Sequence, residues 1–223
     1  MQAYQRTATA CAVASILAIG GLGVSGQAMA EVSANIGITS NYIFRGLSES
    51  DDDAAVQGGV DYNHASGLYL GTWVSSLGGG GDYEIDGYFG FANELSSGFG
   101  YDLGYVYYAY PRADDSDAGE IYLNLSFSQF SAGVAYVINA DDSDWEKTLS
   151  YELGAEFPVA ADMSLGAQIG YVDPNPSDDT NYTWWSLSLN KATSMGDFSF
   201  AYVQNDLDDD DDPRFLVSYT MNF

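Results

Sequence analysis

The chain ends in FLVSYTMNF, residues 215–223. In an extended chain, successive side chains point to opposite faces. Phe215, Val217, Tyr219, Met221 and Phe223 therefore share one face, and Leu216, Ser218, Thr220 and Asn222 share the other. The first face is apolar at every position and the second is mostly polar. Such a strand must have its apolar face covered, either by protein or by lipid.

The same alternation recurs along the chain. Twelve segments match it: roughly 32–44, 54–64, 67–77, 82–95, 98–110, 119–130, 130–139, 146–157, 162–172, 182–191, 196–205 and 214–223. In 98–110, Phe99, Tyr101, Leu103, Tyr105 and Tyr107 oppose Gly100, Asp102 and Gly104. In 146–157, Leu149, Tyr151, Leu153, Ala155 and Phe157 oppose Ser150, Glu152, Gly154 and Glu156. Segment 67–77 has the weakest pattern: Leu68, Leu70 and Val74 lie on one face, yet Tyr69 and Trp73 lie on the other. The apolar faces of the clear strands carry no Asp or Glu, although the chain has 32 acidic residues. Lys147 and Lys191 fall on the apolar parity only at strand ends, where a long basic side chain reaches water.

The connections alternate in length. Long ones are GLSESDDD (46–53), GGGG (78–81), PRADDSDAG (111–119), NADDSDW (139–145), DPNPSDDTN (173–181) and DLDDDDDP (206–213). Short ones lie near residues 64–67, 95–98, 128–130, 158–162 and 191–197. Nearly every aspartate run falls in a long connection. Short turns at one rim and long loops at the other are the pattern of an outer-membrane barrel. The reading is an all-β, transmembrane, antiparallel up-and-down β-barrel of about 12 strands. The last strand then pairs with the first to remove both sheet edges. Phe215, Val217, Tyr219, Met221 and Phe223 face lipid and form the terminal signal that barrel assembly machinery recognises.

The N-terminus agrees with an envelope destination. Residues 1–30 hold one charge, Arg6, then a small-residue apolar run from Ala8 to Val24, and close on Ala28-Met29-Ala30. These are the parts of a cleaved secretory signal peptide, which leaves residues 31–223 as the barrel. Cys11, the sole cysteine, lies in the removed segment, so disulfides and cysteine catalysis are excluded. Without Arg6 the chain carries five basic against 32 acidic residues, a net charge of −27. That charge repels phosphate and excludes nucleic acid as a partner.

The stretch SNYIFRGLSES, residues 40–50, resembles the opening motif of the TorF family of porins, small proteobacterial outer-membrane proteins. GLYLGTWVSSL (67–77), YEIDGYFGF (83–91) and YVYYAYP (105–111) are similar to further stretches of that family. Glu49 departs from the family motif, which carries Gln there. The resemblance implies a β-barrel porin in the outer membrane of a Gram-negative bacterium. It brings no catalytic or substrate residues.

If the apolar faces meet lipid, the opposite faces line a lumen with Asp61, Glu84, Asp86, Asp102, Glu120, Glu152 and Glu156, and with Arg45 near the outer end of the first strand. Carboxylate rings favour cations, so the function read here is passive diffusion of small solutes, cation-preferring or weakly selective. Interior glycines and serines are expected to leave space for it. The alternative is a non-conducting structural or adhesive barrel whose acidic loops are the working surface. Arg45 is either a constriction charge or a tie for the first loop through Glu49 or Asp51–Asp53. ADDSD occurs at 113–117 and 140–144, and DDDDD at 208–212. Oxygen clusters of this kind suit weak divalent cations, but none matches a calcium loop, and a solvated acidic surface is the preferred reading. No cofactor is called for. An enzyme is disfavoured: His64, the only histidine, sits beside a short turn, and Ser66 forms no triad motif with it.

Overall fold

The computed structural model describes residues 31–78, 82–174, 181–208 and 210–223. The signal peptide read at residues 1–30 lies outside the described residues, as do parts of the 78–81, 173–181 and 208–212 stretches. Among the described residues there are fourteen strands: β1 (Glu31–Thr39), β2 (Ile43–Phe44), β3 (Leu47–Ser48), β4 (Ala55–Asn63), β5 (Leu68–Ser76), β6 (Tyr83–Glu94), β7 (Phe99–Ala109), β8 (Ala118–Phe127), β9 (Phe130–Ala140), β10 (Leu149–Ala160), β11 (Met163–Asp173), β12 (Tyr182–Thr193), β13 (Gly196–Asn205) and β14 (Arg214–Asn222). Twelve of them close a barrel in which each strand pairs antiparallel with its neighbours in the chain. β2 and β3 pair only with each other.

The terminal strand closes the ring. β14 pairs with β1 from Asn35↔Asn222 to Thr39↔Ser218. Beyond Asn222, Phe223 N–H donates to Ala34 O at 2.8 Å and Ala34 N–H donates back to Phe223 O at 3.2 Å. Closure leaves no sheet edge along this seam.

Alternation sets which face is which. Leu103, Leu153 and Leu187, mid-strand on the outer wall, are 58%, 61% and 60% exposed, whereas the inward Glu84, Asp86 and Glu120 are buried. This is the reverse of a soluble domain and fits a wall set in hydrocarbon. In β5, Leu68, Leu70 and Val74 are exposed on the outside, and Tyr69 and Trp73 turn inward. Their aromatic rings have interior work: Tyr69 covers Gly90, and Trp73 meets Tyr42 edge-on at 5.4 Å.

Two sequence expectations are corrected. The first strand does not run to residue 44. It ends at Thr39, whose hydroxyl donates to Asn41 O at 2.8 Å, and the chain then doubles back into the barrel. Nor do the inward glycines leave space. A Cβ at Gly71, Gly90, Gly104 or Gly170 would collide with Tyr88, Tyr69, Tyr122 or Trp184 respectively. Each glycine provides a flat seat for a ring from the adjacent strand.

Candidate functional site

The connection between β1 and β4, residues 40–54, is here called loop 1. Its β2–β3 hairpin lies inside the barrel. Phe44-Arg45-Gly46-Leu47 makes the turn, with Ile43↔Ser48 and Phe44↔Leu47 paired. Arg45 has φ 47° and Gly46 φ 86°. Positive φ at both central residues is the tight hairpin turn whose twist matches its strands. Gly is at ease there and Arg is not, so something must hold Arg45.

Glu120 on β8 holds it. Arg45 Nη1 donates to Glu120 Oε2 at 2.8 Å and Nη2 donates to Oε1 at 2.9 Å. Arg45 Nε lies 3.6 Å from Glu152 Oε1 on β10. A planar guanidinium gripping one carboxylate with two parallel bonds is a strong, directional arrangement. The flanking side chains are apolar. Ile43 clusters with Ala201, Val203 and Leu216. Leu47 packs on Val172, Tyr182 and Trp184. Phe44 meets Tyr108 edge-on at 5.8 Å, and Asn205 Nδ2 donates to Gly46 O at 3.0 Å. The hairpin thus reaches β5, β7, β8 and β10–β14, spanning the interior beneath the long loops. Beside Arg45 a space of about 20 Å³ remains, lined by Glu120, Tyr122, Asn124, Ser150 and Glu152; that is room for about one water.

The root of loop 1 is knotted by small polar groups. Ser48 Oγ donates to Asn41 Oδ1 at 2.7 Å, Asn41 Nδ2 to Asp52 Oδ1 at 2.6 Å, and Tyr42 N–H to Ser50 Oγ at 2.8 Å. Arg214, at the start of β14, donates from Nε to the same Asp52 oxygen at 2.8 Å and from Nη2 to Asp210. Arg214 and Asn41 hold the Asp52 carboxyl below its usual range.

A second acidic group sits beside Tyr42 and Glu49, where loop 1 enters and leaves the hairpin. Glu84 and Asp86, two residues apart on the inner face of β6, are 1% and 4% exposed. Their carboxyls contact each other. Tyr110 OH donates to Glu84 Oε1 at 3.3 Å, while Glu84 Oε2 and Asp86 Oδ1 have no protein hydrogen-bond partner. Glu49 of loop 1 stands close by. Burial first, and the Glu84 charge second, push its carboxyl up to about 7.

The remaining sequence-predicted acids lie nearer the short turns. Asp61 accepts from Tyr88 OH at 2.6 Å, and Asp102 accepts from Tyr69 OH at 2.6 Å. The Tyr69 and Tyr122 hydroxyls are 2.5 Å apart. Glu156 accepts from Ser164 Oγ. So Arg45, Glu120 and Glu152 come together, Glu84, Asp86 and Glu49 come together, and Asp61, Asp102 and Glu156 stand apart on β4, β7 and β10. The predicted tie from Arg45 to Glu49 or Asp51–Asp53 is replaced by the pairs with Glu120 and Glu152, because the turn carries Arg45 inward, away from its own loop. On the outer wall of β14, Phe215, Val217, Met221 and Phe223 are exposed. Tyr219 stacks on Phe198 at 4.6 Å, and its hydroxyl donates to Met195 O at 2.6 Å.

Sequence reasoning missed Asp197, buried on β13 with Asn222 Nδ2 donating to it at 3.0 Å, and it missed the hairpin itself. The signal for the hairpin was present: Arg-Gly between Ile-Phe and Leu is a two-residue turn flanked by apolar positions.

Among the described residues no group of three or more His, Cys, Asp or Glu is arranged to hold a metal. His64 Nδ1 and Ser66 Oγ are 2.8 Å apart in an exposed turn, where Ser66 N–H also donates to Nδ1 at 3.2 Å. The ring closes the turn.

An up-and-down barrel with an apolar exterior and a polar interior is the fold of outer-membrane porins. The KdgM porin overlays with a TM-score of 0.59 at 9% identity, covering 86% of this chain and 98% of its own. A KdgM porin in complex with disordered oligogalacturonate gives 0.58 at 9%, covering 87% and 99%. The COG4313 outer membrane channel from Pseudomonas putida F1 gives 0.51 at 12%, covering 90% and 97%. At these identities the likeness is one of fold. By sequence, residues 24–220 match the family described as "Bacterial protein of unknown function (Gcw_chp)", and the chain belongs to that family. No curated protein matches the chain.

Proposed function

We propose that this protein is a channel of the Gram-negative outer membrane for small solutes, cation-preferring, whose pathway is controlled by the loop 1 hairpin. The porin fold and the TorF-like motifs support the channel class. The observation that carries the reading is the hairpin's attachment. It is held in the lumen by an ion pair and side-chain contacts, not by the barrel's own hydrogen-bond ladder, so it is a separable part inside a fixed wall. Barrels of eight strands are filled by their side chains and those of sixteen leave a channel. A ring of twelve has room that a loop is needed to fill.

Cation preference follows from Glu84, Asp86, Glu120, Glu152, Asp61, Asp102 and Glu156, with Arg45 as counter-charge. The same charge argues against carrying over the oligogalacturonate of the KdgM complex, which is itself an acidic chain. The test is the reversal potential of the refolded protein in a planar bilayer under a potassium chloride gradient. The expected sign is that of cation flow, and an anion-selective potential rejects the reading.

The closed, structural barrel is the second reading. Its specific support is the apolar packing of Ile43, Phe44 and Leu47, which resembles a core more than a gate. Absence of conductance from a folded variant lacking the hairpin decides for it.

A further inference from the structure

Two acidic groups face loop 1, one at the hairpin tip and one at its base, and their charges are balanced differently. Glu120 and Glu152 face Arg45. Glu84, Asp86 and Glu49 face no base: among the described residues none of the three is in an ion pair. Arg112 lines the crevice above, with Glu49, Asp51, Asp82 and Tyr110, but its guanidinium lies over the Tyr83 ring at 6.0 Å. The other titratable groups around the cluster are the hydroxyls of Tyr42 from loop 1, Tyr88 from β6, Tyr108 from β7 and Tyr110 just beyond it. All four are neutral donors.

Two carboxyls in mutual contact, both buried and each with an unpartnered oxygen, cannot remain together as two bare anions. A proton shared between them satisfies the contact. Glu49 adds a third carboxyl at the point where the hairpin joins the root of loop 1, its own carbonyl accepting from Gly78 N–H at 3.1 Å, so the cluster bridges the barrel wall and the base on which the hairpin turns. We propose that Glu84, Asp86 and Glu49 form a proton-binding site that holds loop 1 in the lumen, and that loss of its protons drives the hairpin out. Only the consequence for conduction rests on the channel reading.

The sign follows from Glu49. Its carboxyl is held at about 7 when loop 1 is docked, against an ordinary 4.5, so the docked state binds the proton more tightly than the released state. Docking is at full strength below about 4.5, weakens as pH rises, and has lost this contribution above about 7. Arg45 opposes release through its pair with Glu120, and the strained φ at Arg45 favours it.

The test reads the hairpin directly. In a Cys11→Ser background, Ile43→Cys places a thiol at a position now 2% exposed. Its labelling by a membrane-impermeant maleimide is followed from pH 5.5 to 8.5 and divided by the rate at Ser143→Cys, an exposed loop position, to remove the ordinary pH dependence of thiols. The ratio is expected to rise by about tenfold or more, as loss of at least one linked proton requires. It is expected to stay low at both pH values in Glu49→Gln/Glu84→Gln/Asp86→Asn. Glu49→Gln alone, outside the barrel wall, should blunt the rise if the triple variant does not fold. A flat ratio in the parent protein overturns the proposal. So does a rise that Glu49→Gln leaves unchanged, or release at pH 5.5 by a chelator, which would make a metal ion the occupant. Labelling that behaves as expected in a protein that never conducts rejects the channel and leaves the proton site standing.

Discussion

Arg45 and Glu120 are 75 residues apart in sequence and meet through two hydrogen bonds of 2.8 and 2.9 Å. The contact joins the tip of a loop to the barrel wall and holds an arginine in a left-handed backbone conformation. Breaking a buried pair by removing one partner leaves an uncompensated charge and costs about 3–5 kcal/mol. Glu120→Gln leaves Arg45 only the longer contact to Glu152 at 3.6 Å, so it should weaken hairpin docking by a part of that amount, with the barrel itself intact. Single-channel recording should show a higher open probability than the parent.

Gly46 is the second point of leverage. Its φ is +86°, and a Cβ there would collide with Trp184 Cβ. Left-handed backbone costs a residue with a side chain about 1–2 kcal/mol, and the collision adds to it. Gly46→Ala should unseat the hairpin much as Glu120→Gln does, read as faster labelling of Ile43→Cys at fixed pH.

The ring-on-glycine seats belong to the wall, and changes there should act differently. At Gly90 an added methyl meets Tyr69 and the backbone of Leu103. Overpacking of this kind costs about 1–3 kcal/mol. Gly90→Ala should lower the unfolding midpoint in detergent micelles without selectively exposing the hairpin.

On the outer wall, Leu153 lies mid-strand on β10. An arginine facing the middle of a bilayer costs about 2–4 kcal/mol. Leu153→Arg should lower folding stability in vesicles by that order, and Trp145→Arg, exposed in the loop before β10, should have little effect. Equal effects at the two positions would argue against a bilayer around the barrel.

Much of this architecture is legible in the sequence, because a two-residue period and long–short loop alternation are local signals. Leu149 to Phe157 declares its faces in nine residues. The interior is less legible. Tyr69 and Trp73 blur the alternation of β5 because an inward ring is chemically indistinguishable from an outward one. Only the opposing Gly90 and the loop residue Tyr42 show why they turn in. The fate of loop 1 is the clearest case. In the sequence Arg45 reads as lying near the outer end of the first strand, which the alternation extends to residue 44. The Arg-Gly turn was the local clue, but Glu120 and Glu152, its partners, lie two barrel strands apart and no spacing in the sequence links them to it.

On the proposed reading, the loop 1 hairpin occupies the lumen and governs passage through it. Single-channel conductance in planar bilayers, comparing the parent protein with a variant in which residues 42–50 are replaced by a short Gly-Ser turn, tests it most directly. The account predicts small or rare openings for the parent at acidic pH and a large, steady, cation-preferring conductance for the variant. Equal conductance in the two folded proteins, or none in either, would contradict it.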